Sequence, residues 1–280
     1  MGATNMRRSK IASKALAHTF LIVGCLITLY PLIWMFFASF KSTGTVMSLP
    51  PTLFPTQWTM ENYKTIFDDN VGRYFINSVY ISIIRTALPV YTSALLGYVF
   101  AKFNFKGKNI VFTAFIATMM VPWIVTIIPQ YNMFNKAGLL DNHLALILPF
   151  ICSSYGLFLI KSFMHQVPTS LMESARIDGC GEFKIFNRVV LPLVAPATAA
   201  LGIILFLTAW DDYLWPFLVI NSDNLYTLTV GLSKYAFKQY TIAYGPVLAG
   251  SVISILPVVI VYIILQKHII AGITIGGVKG

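Results

Sequence analysis

Six apolar runs separated by polar or basic segments dominate the chain: residues 15–40, 74–101, 110–134, 144–160, 193–220 and 246–265. A helix needs roughly 20 apolar residues to cross about 30 Å of hydrocarbon, so each run is a candidate span, the fourth being the shortest. The first run holds no Asp, Glu, Lys or Arg, the second is interrupted by Arg85, and the fifth carries Asp211 and Asp212 near its far end. The pattern predicts an all-α, polytopic membrane protein with six transmembrane helices. The basic segment Arg7, Arg8, Lys10 and Lys14 before the first run resembles the start of a signal peptide. The run itself is too long for one, and bulky Trp34 to Phe37 leave no small-residue cleavage site, so a retained helix is expected.

Composition strengthens that reading. Hydrophobic residues make up 57% of the 280-residue chain, charged residues 11%, and the mean hydropathy is +0.73. A soluble domain carries about 25% charged residues, so a soluble enzyme, a disordered chain and a nucleic-acid module are all disfavoured. The net charge of +10 lies in the gaps between apolar runs. With the N-terminus in the cytoplasm, the inner side would hold Arg7, Arg8, Lys10, Lys14, Lys102, Lys106, Lys108, Lys161, Arg176, Lys184, Arg188, Lys267 and Lys279. The outer side would hold only Lys41, Lys64, Arg73, Lys136, Lys234 and Lys238. That bias puts both termini inside. It also puts Trp58, Trp123 and Trp215 near the outer interface. Cys25, Cys152 and Cys180 form no paired motif and read as small apolar fillers. The expected organisation is a cytoplasmic segment 1–14, a six-span domain 15–266 and a cytoplasmic tail 267–280.

The segment 167–192 does not read as a plain linker. Ser170 followed by Glu173 has capping-box spacing, Pro168 blocks helix upstream, and Gly179 suits a left-handed C-cap. These signals predict a two-turn helix over 171–178, then a second short helix over 182–190 with Phe183, Phe186 and Val190 on one side. Pro192 would end that second helix by restricting Leu191. A two-turn helix is marginal alone in water and must dock on something. Ser174 and Ala175 are small enough for a partner surface to approach, and Glu173, Arg176 and Asp178 offer charges around them. The alternative is a re-entrant or lipid-surface hairpin.

Glu173-Ser174-Ala175, then Gly179, then Val189 followed by Leu191-Pro192, resembles the EAA loop of ABC-importer permeases (E-A-A, three residues, Gly, nine residues, Ile-x-Leu-Pro). Ser174 replaces Ala and Val189 replaces Ile. Further stretches are similar to carbohydrate permeases of the maltose-transporter type, in particular the six-span MalG-like subunit. They are Tyr30-Pro31-Leu32-Ile33-Trp34, Ser39-Phe40-Lys41, Trp58-Thr59 with Glu61-Asn62-Tyr63, and Asn77-Ser78. Pro129 with Tyr131, Gly138-Leu139-Leu140-Asp141, Trp210 to Pro216 (Asp211 replacing the family Asn), Thr227 to Leu232 and the tail from Gly272 belong with them. The resemblance implies a subunit of the bacterial inner (plasma) membrane forming half of a carbohydrate path, in the first place for an oligosaccharide. It implies a second, MalF-like permease, two cytoplasmic ATPase subunits, an extracellular or periplasmic solute-binding protein and no cofactor. Glu173, Ser174, Ala175, Arg176, Asp178 and Gly179 would form the coupling helix in a cleft of the ATPase, and Val278, Lys279 and Gly280 a tail contact. No G-x-x-x-x-G-K-[ST] loop is present, so ATP hydrolysis falls to the separate subunits.

Candidates for the sugar path are Asn77, Gln130, Tyr131, Trp210, Asp211, Asp212 and Tyr213, aromatic and polar groups placed in or beside spans. Trp and Tyr also mark membrane interfaces, so Tyr213 and Trp215 have that plainer reading. Arg85 lies roughly 24 Å, and Asp211 roughly 26 Å, from the inner ends of their runs at 1.5 Å per residue. An intramembrane pair of Arg85 with Asp211 or Asp212 is therefore expected, the alternative being snorkelling or a partner on the other permease. His18, His143, His165 and His268 form no ligand cluster in the sequence. An ion- or proton-coupled secondary transporter remains the competing class, supported only by Asp211 and Asp212. An intramembrane enzyme would need a nucleophile with its base, or paired acids on separate spans, and neither is evident.

Overall fold

The computed structural model describes residues 2–236 and 243–277, with side chains described for 13–236, 243–264 and 266. Among the described residues the regular secondary structure is all helical, without strands. Its helices are α1 (Gly2–Ala38), α2 (Glu61–Asp68), α3 (Val71–Lys102), α4 (Lys108–Thr118), α5 (Trp123–Lys136), α6 (His143–Ile147) and α7 (Ser154–Met164). They continue as α8 (Thr169–Ile177), α9 (Glu182–Ile185), α10 (Leu191–Leu193), α11 (Ala195–Trp210), α12 (Leu214–Val219), α13 (Leu228–Ala236) and α14 (Tyr244–Gly277). Among the described residues, three stretches are long and apolar enough to cross a membrane alone: Ser13–Ala38, Val71–Lys102 and Tyr244–Ile264.

The other three apolar runs are broken, and counting each bent pair as one span gives up to six. The third bends by 98° between α4 and α5, where Pro122 caps α5 and Met119 to Val121 leave the helix. Proline supplies no N–H and biases the preceding residue away from helix, which accounts for the break. The fourth bends by 42° between Phe150 and Ser154. The fifth turns by 80° at Val194, between Pro192 and Pro196. It also ends earlier than expected, at Trp210, so Asp211 and Asp212 lie in a turn before α12 rather than within one continuous helix.

The chain divides into two compact units, residues 1–69 with 232–255, and 70–231 with 256–280. In the first, Asn62 is buried and its Nδ2 donates to the carbonyls of Ser39 (2.8 Å) and Lys41 (2.7 Å), which satisfies backbone acceptors just beyond the end of α1. Tyr63 and Ser39 share a hydroxyl hydrogen bond of 2.8 Å, and nearby Phe37 packs edge-on against Trp58 and tilted against Phe54, with Phe40 tilted against Trp58. In the second unit, α3 lies against α7 and α11 through small residues. A Cβ on Gly97 would stand 3.0 Å from Ile160 Cγ2, and one on Gly156 would meet Ser93 Oγ and come within 2.9 Å of Leu201 Cδ2. Such close approach is how helices associate in lipid, where apolar burial gives no net drive.

Candidate functional site

The segment 167–192 is built on the second unit. Helix α8 starts at Thr169, with Pro168 in the cap position (φ −62°, ψ 132°) and no side-chain cap. The expected Ser170–Glu173 capping box is therefore not formed: Ser170 already lies in the first helical turn, because Pro168 sets the extended geometry two residues earlier. The C-terminus closes by a Schellman motif: Gly179 has φ +76°, Cys180 N donates to Ala175 O (3.0 Å) and Gly179 N to Arg176 O (3.0 Å).

The helix is amphipathic in a specific sense. Met172 and Ala175 are buried against Tyr98, Ile160, Met164 and Phe186, whereas Glu173, Ser174, Arg176, Ile177 and Asp178 are exposed. Ala175 thus faces its own chain rather than offering a small contact surface, which leaves Ser174 as the small outward residue. Arg176 does not stand free at the rim. Its Nε donates to Glu182 Oε1 (2.6 Å) and its Nη2 to Glu182 Oε2 (3.3 Å), and Tyr98 OH on α3 donates to the same Oε2 (2.8 Å). The hydrogen bond to Glu182 raises the Arg176 pKa further and keeps the guanidinium charged. The segment after α9 also differs from expectation. Ile185, Phe186 and Val190 are buried while Phe183 is 66% exposed, and a π-helical turn spans Phe186–Val190. Pro192 does not terminate the helix; it sits inside α10, and Val194 makes the break.

Arg85 is 4% exposed, its Nη1 lies 2.8 Å from Asp212 Oδ2, and its guanidinium sits 3.7 Å from the centroid of the Phe150 ring. Asp212 Oδ1 also accepts from Trp215 N (3.4 Å), and Asp212 O from Thr229 Oγ1 (2.8 Å). Asp211, on the preceding position of the turn, is exposed.

The other path candidates are dispersed. Asn77 Nδ2 is spent on the carbonyls of Asn224 (3.0 Å) and Tyr226 (2.9 Å). Trp210 stacks on Phe206 and Tyr213 on Phe217, with centroids 5.9 Å and 5.2 Å apart. Tyr131 packs against the cluster of Ile81, Ile127, Leu146 and Trp215. Gln130 Oε1 is buried without a hydrogen-bond partner. A cavity of about 110 Å³ beside Arg85 is lined by Pro89, Phe150, Cys152, Ser153, Leu205, Thr208 and Ala209, and by none of the seven path candidates. Trp215 is fully buried and its Nε1 donates to Ala145 O (2.9 Å), so its ring packs within the protein rather than facing lipid. The tail residues Val278, Lys279 and Gly280 lie outside the described residues.

One organising residue entered the sequence reading only as the end of Gly138-Leu139-Leu140-Asp141, with no role given to it. Asp141, at φ +55°, accepts from Asn221 N (2.9 Å), Ser222 N (2.8 Å) and the Ser222 hydroxyl, while its own N–H donates to Val219 O (2.7 Å). These bonds, the Ser222 side chain first, hold its carboxyl below the usual carboxylate range.

Residues 93–274 match the family model of the binding-protein-dependent transport system inner membrane component. The chain is 37% identical over 259 residues to the arabinooligosaccharides transport system permease protein AraQ of Halalkalibacterium halodurans, covering 91% of this chain and 92% of that one. It is 34% identical to the diacetylchitobiose uptake system permease protein NgcG of Streptomyces coelicolor, covering 94% and 88%. Among solved structures, a chain of a bacterial ABC transporter involved in the import of the acidic polysaccharide alginate superposes with a TM-score of 0.82. It is 23% identical and covers 93% of this chain and 97% of that chain, a likeness of fold.

Proposed function

Because the chain belongs to the family of binding-protein-dependent transport system inner membrane components, we propose that it is one permease subunit of an ATP-driven importer for an oligosaccharide. It sits in the inner membrane as a multi-pass protein, with both termini in the cytoplasm. It forms half of the path, beside a second permease; two ATPase subunits hydrolyse ATP and a solute-binding protein delivers the sugar. The observation that carries the substrate class is the near full-length similarity to permeases named for arabinooligosaccharide and diacetylchitobiose uptake. The binding-protein partner is supported by the family description and by a second structural relative, an alginate transporter in complex with a pentasaccharide-bound periplasmic protein.

In this reading α8 is the coupling helix. Its outward face of Glu173, Ser174, Ile177 and Asp178 meets the ATPase. Its inward face, Met172 and Ala175, and the Arg176–Glu182–Tyr98 chain tie it to α3. A push on α8 therefore reaches a membrane-spanning helix through packed atoms and a closed set of hydrogen bonds rather than through slack loop. Around that joint the domain is 15–266, with flanking segments 1–14 and 267–280.

Reconstitution of both permeases, the ATPase and the binding protein in proteoliposomes tests the proposal. Oligosaccharide uptake should require ATP and the loaded binding protein, and Ser174→Trp should uncouple it by blocking the docking face. Uptake that continues on an ion gradient after the ATPase is removed would overturn it in favour of a secondary transporter.

A further inference from the structure

The end of the second unit that carries α8 also gathers basic side chains for which the transport reading has no use. Lys102, at the last position of α3, donates from Nζ to Val167 O (2.5 Å). Lys108, the first residue of α4, donates to Phe103 O (2.7 Å). Lys161 Nζ lies 3.4 Å from the centroid of the Phe112 ring. Among the described residues no carboxylate lies within ion-pair distance of any of the three. The groups feel one another: burial first, then the charges of Lys161, Lys102 and Lys108, hold the His165 imidazole below its ordinary pKa.

An ammonium has three donors. Carbonyls and a ring face occupy some of them here and neutralise none of the charge. Like charges held together at a membrane edge call for an anion. Beside Lys108 lies an open cavity of about 430 Å³, lined also by Asn104, Phe105, Gly107, Asn109 and Ile110. Phe105 and Ile110 on its wall, and Val111 beyond it, are exposed apolar side chains. A ligand matching both features has an anionic head and an apolar body. A free anion would leave the apolar rim uncovered, and an acidic protein surface would leave it against water.

We propose that Lys102, Lys108 and Lys161 form a binding site for the phosphate of an anionic phospholipid of the cytoplasmic leaflet, its acyl chains lying along Ile110 and Val111. Basic pockets between spans on the cytoplasmic side are suited to such head groups. The proposal rests on the membrane placement of this chain and on which side carries α8, and is independent of the sugar.

Native mass spectrometry of the assembled transporter tests it with three probes: phosphatidylglycerol, phosphatidylcholine of the same acyl chains, and inorganic phosphate. Wild type should bind phosphatidylglycerol about tenfold or more in preference to phosphatidylcholine, with no competition from millimolar phosphate. K102Q/K108Q/K161Q should lose the preference, and K102R/K108R/K161R should keep it, so that a folding defect in the first is separated from loss of charge. Equal binding of the two lipids by wild type overturns the proposal, as does a preference that survives the glutamine variant. Displacement by phosphate reassigns the site to a free anion. Loss of the ATPase subunit from the glutamine variant, with lipid preference unchanged, reassigns it to protein docking.

Discussion

At the scale of single residues, two acids set the geometry around the fifth apolar run. Asp212 and Arg85 form a buried pair, with side chains 13% and 3% exposed. Removing one member of such a pair strands the other charge, at a cost of about 3–5 kcal/mol. Arg85→Ala should therefore lower the melting temperature of the purified complex sharply, and Arg85→Ala combined with Asp212→Ala should recover part of the loss. Simple additivity of the two in thermal melts would show that the pair carries no coupling. Asp141 works differently, as an acceptor for the two backbone amides after Val219. Its pKa is depressed in the folded chain, so the clamp contributes fully above the unfolded carboxylate value of about 3.9 and is lost as pH falls through the lower folded value. Hydrogen exchange at the Asn221 and Ser222 amides, corrected for intrinsic rates, should accelerate only below that range. Asp141→Asn should produce a roughly tenfold acceleration already at neutral pH, since an amide gives up the charge-assisted part of these bonds. Unchanged protection in the variant would show that the clamp does not hold the segment.

At the scale of elements, α8, the proposed coupling helix, depends on how its end is closed. A Cβ at Gly179 meets no neighbour, so the only penalty of Gly179→Ala is backbone conformation at φ +76°, about 1–2 kcal/mol. That is enough to fray a two-turn helix. Gly179→Ala should lower the ATPase stimulation produced by loaded binding protein, and Gly179→Asn should lower it less, because Asn tolerates the left-handed region. Equal activity in both variants would mean that the cap does not matter for coupling. The same helix shows what a sequence can and cannot tell. Gly179 was legible because one residue type suits that conformation. The start of α8 was not, because Pro168 and Ser170 both carry cap signals and the proline prevailed. The inward turn of Ala175 was not legible either: two turns hold too few apolar positions to fix a phase. Long apolar runs revealed α1, α3 and α14, the second despite Arg85 inside it. The breaks at Met119–Val121 and Val194 fall inside equally apolar sequence, where hydropathy does not change and only the nearby prolines hint at them. Helix rise put Arg85 level with both Asp211 and Asp212; the turn after Trp210, invisible to that arithmetic, is what aims Asp212 at it. The burial of Trp215 was not legible because its partner, the Ala145 carbonyl, lies 70 residues away.

At the scale of the whole molecule, parity decides which side everything faces. Three uninterrupted helices and three bent pairs give six crossings only if each pair traverses the bilayer. The pair α4–α5 is the critical one. Its legs of 11 and 14 residues rise only about 16 and 21 Å, so neither covers about 30 Å of hydrocarbon alone. Joined at 98°, they either cross together as a tilted, broken span or dip in and return. The second option would put residues 104 and 135 on one side and make the number of crossings odd. The bias of Lys and Arg favours the first, since Lys102, Lys106 and Lys108 precede the pair and Lys136 alone ends it. With Cys25, Cys152 and Cys180 replaced by serine, Asn135→Cys should react with a membrane-impermeant maleimide in intact cells. Asn104→Cys and Ser174→Cys should react only after permeabilisation, because Lys102 is bonded to the carbonyl of Val167 at the start of the coupling segment. Labelling of positions 104 and 135 from the same side would make α4–α5 a re-entrant element. It would leave five crossings and place the termini on opposite faces, and the coupling helix could then share a compartment with only one of them.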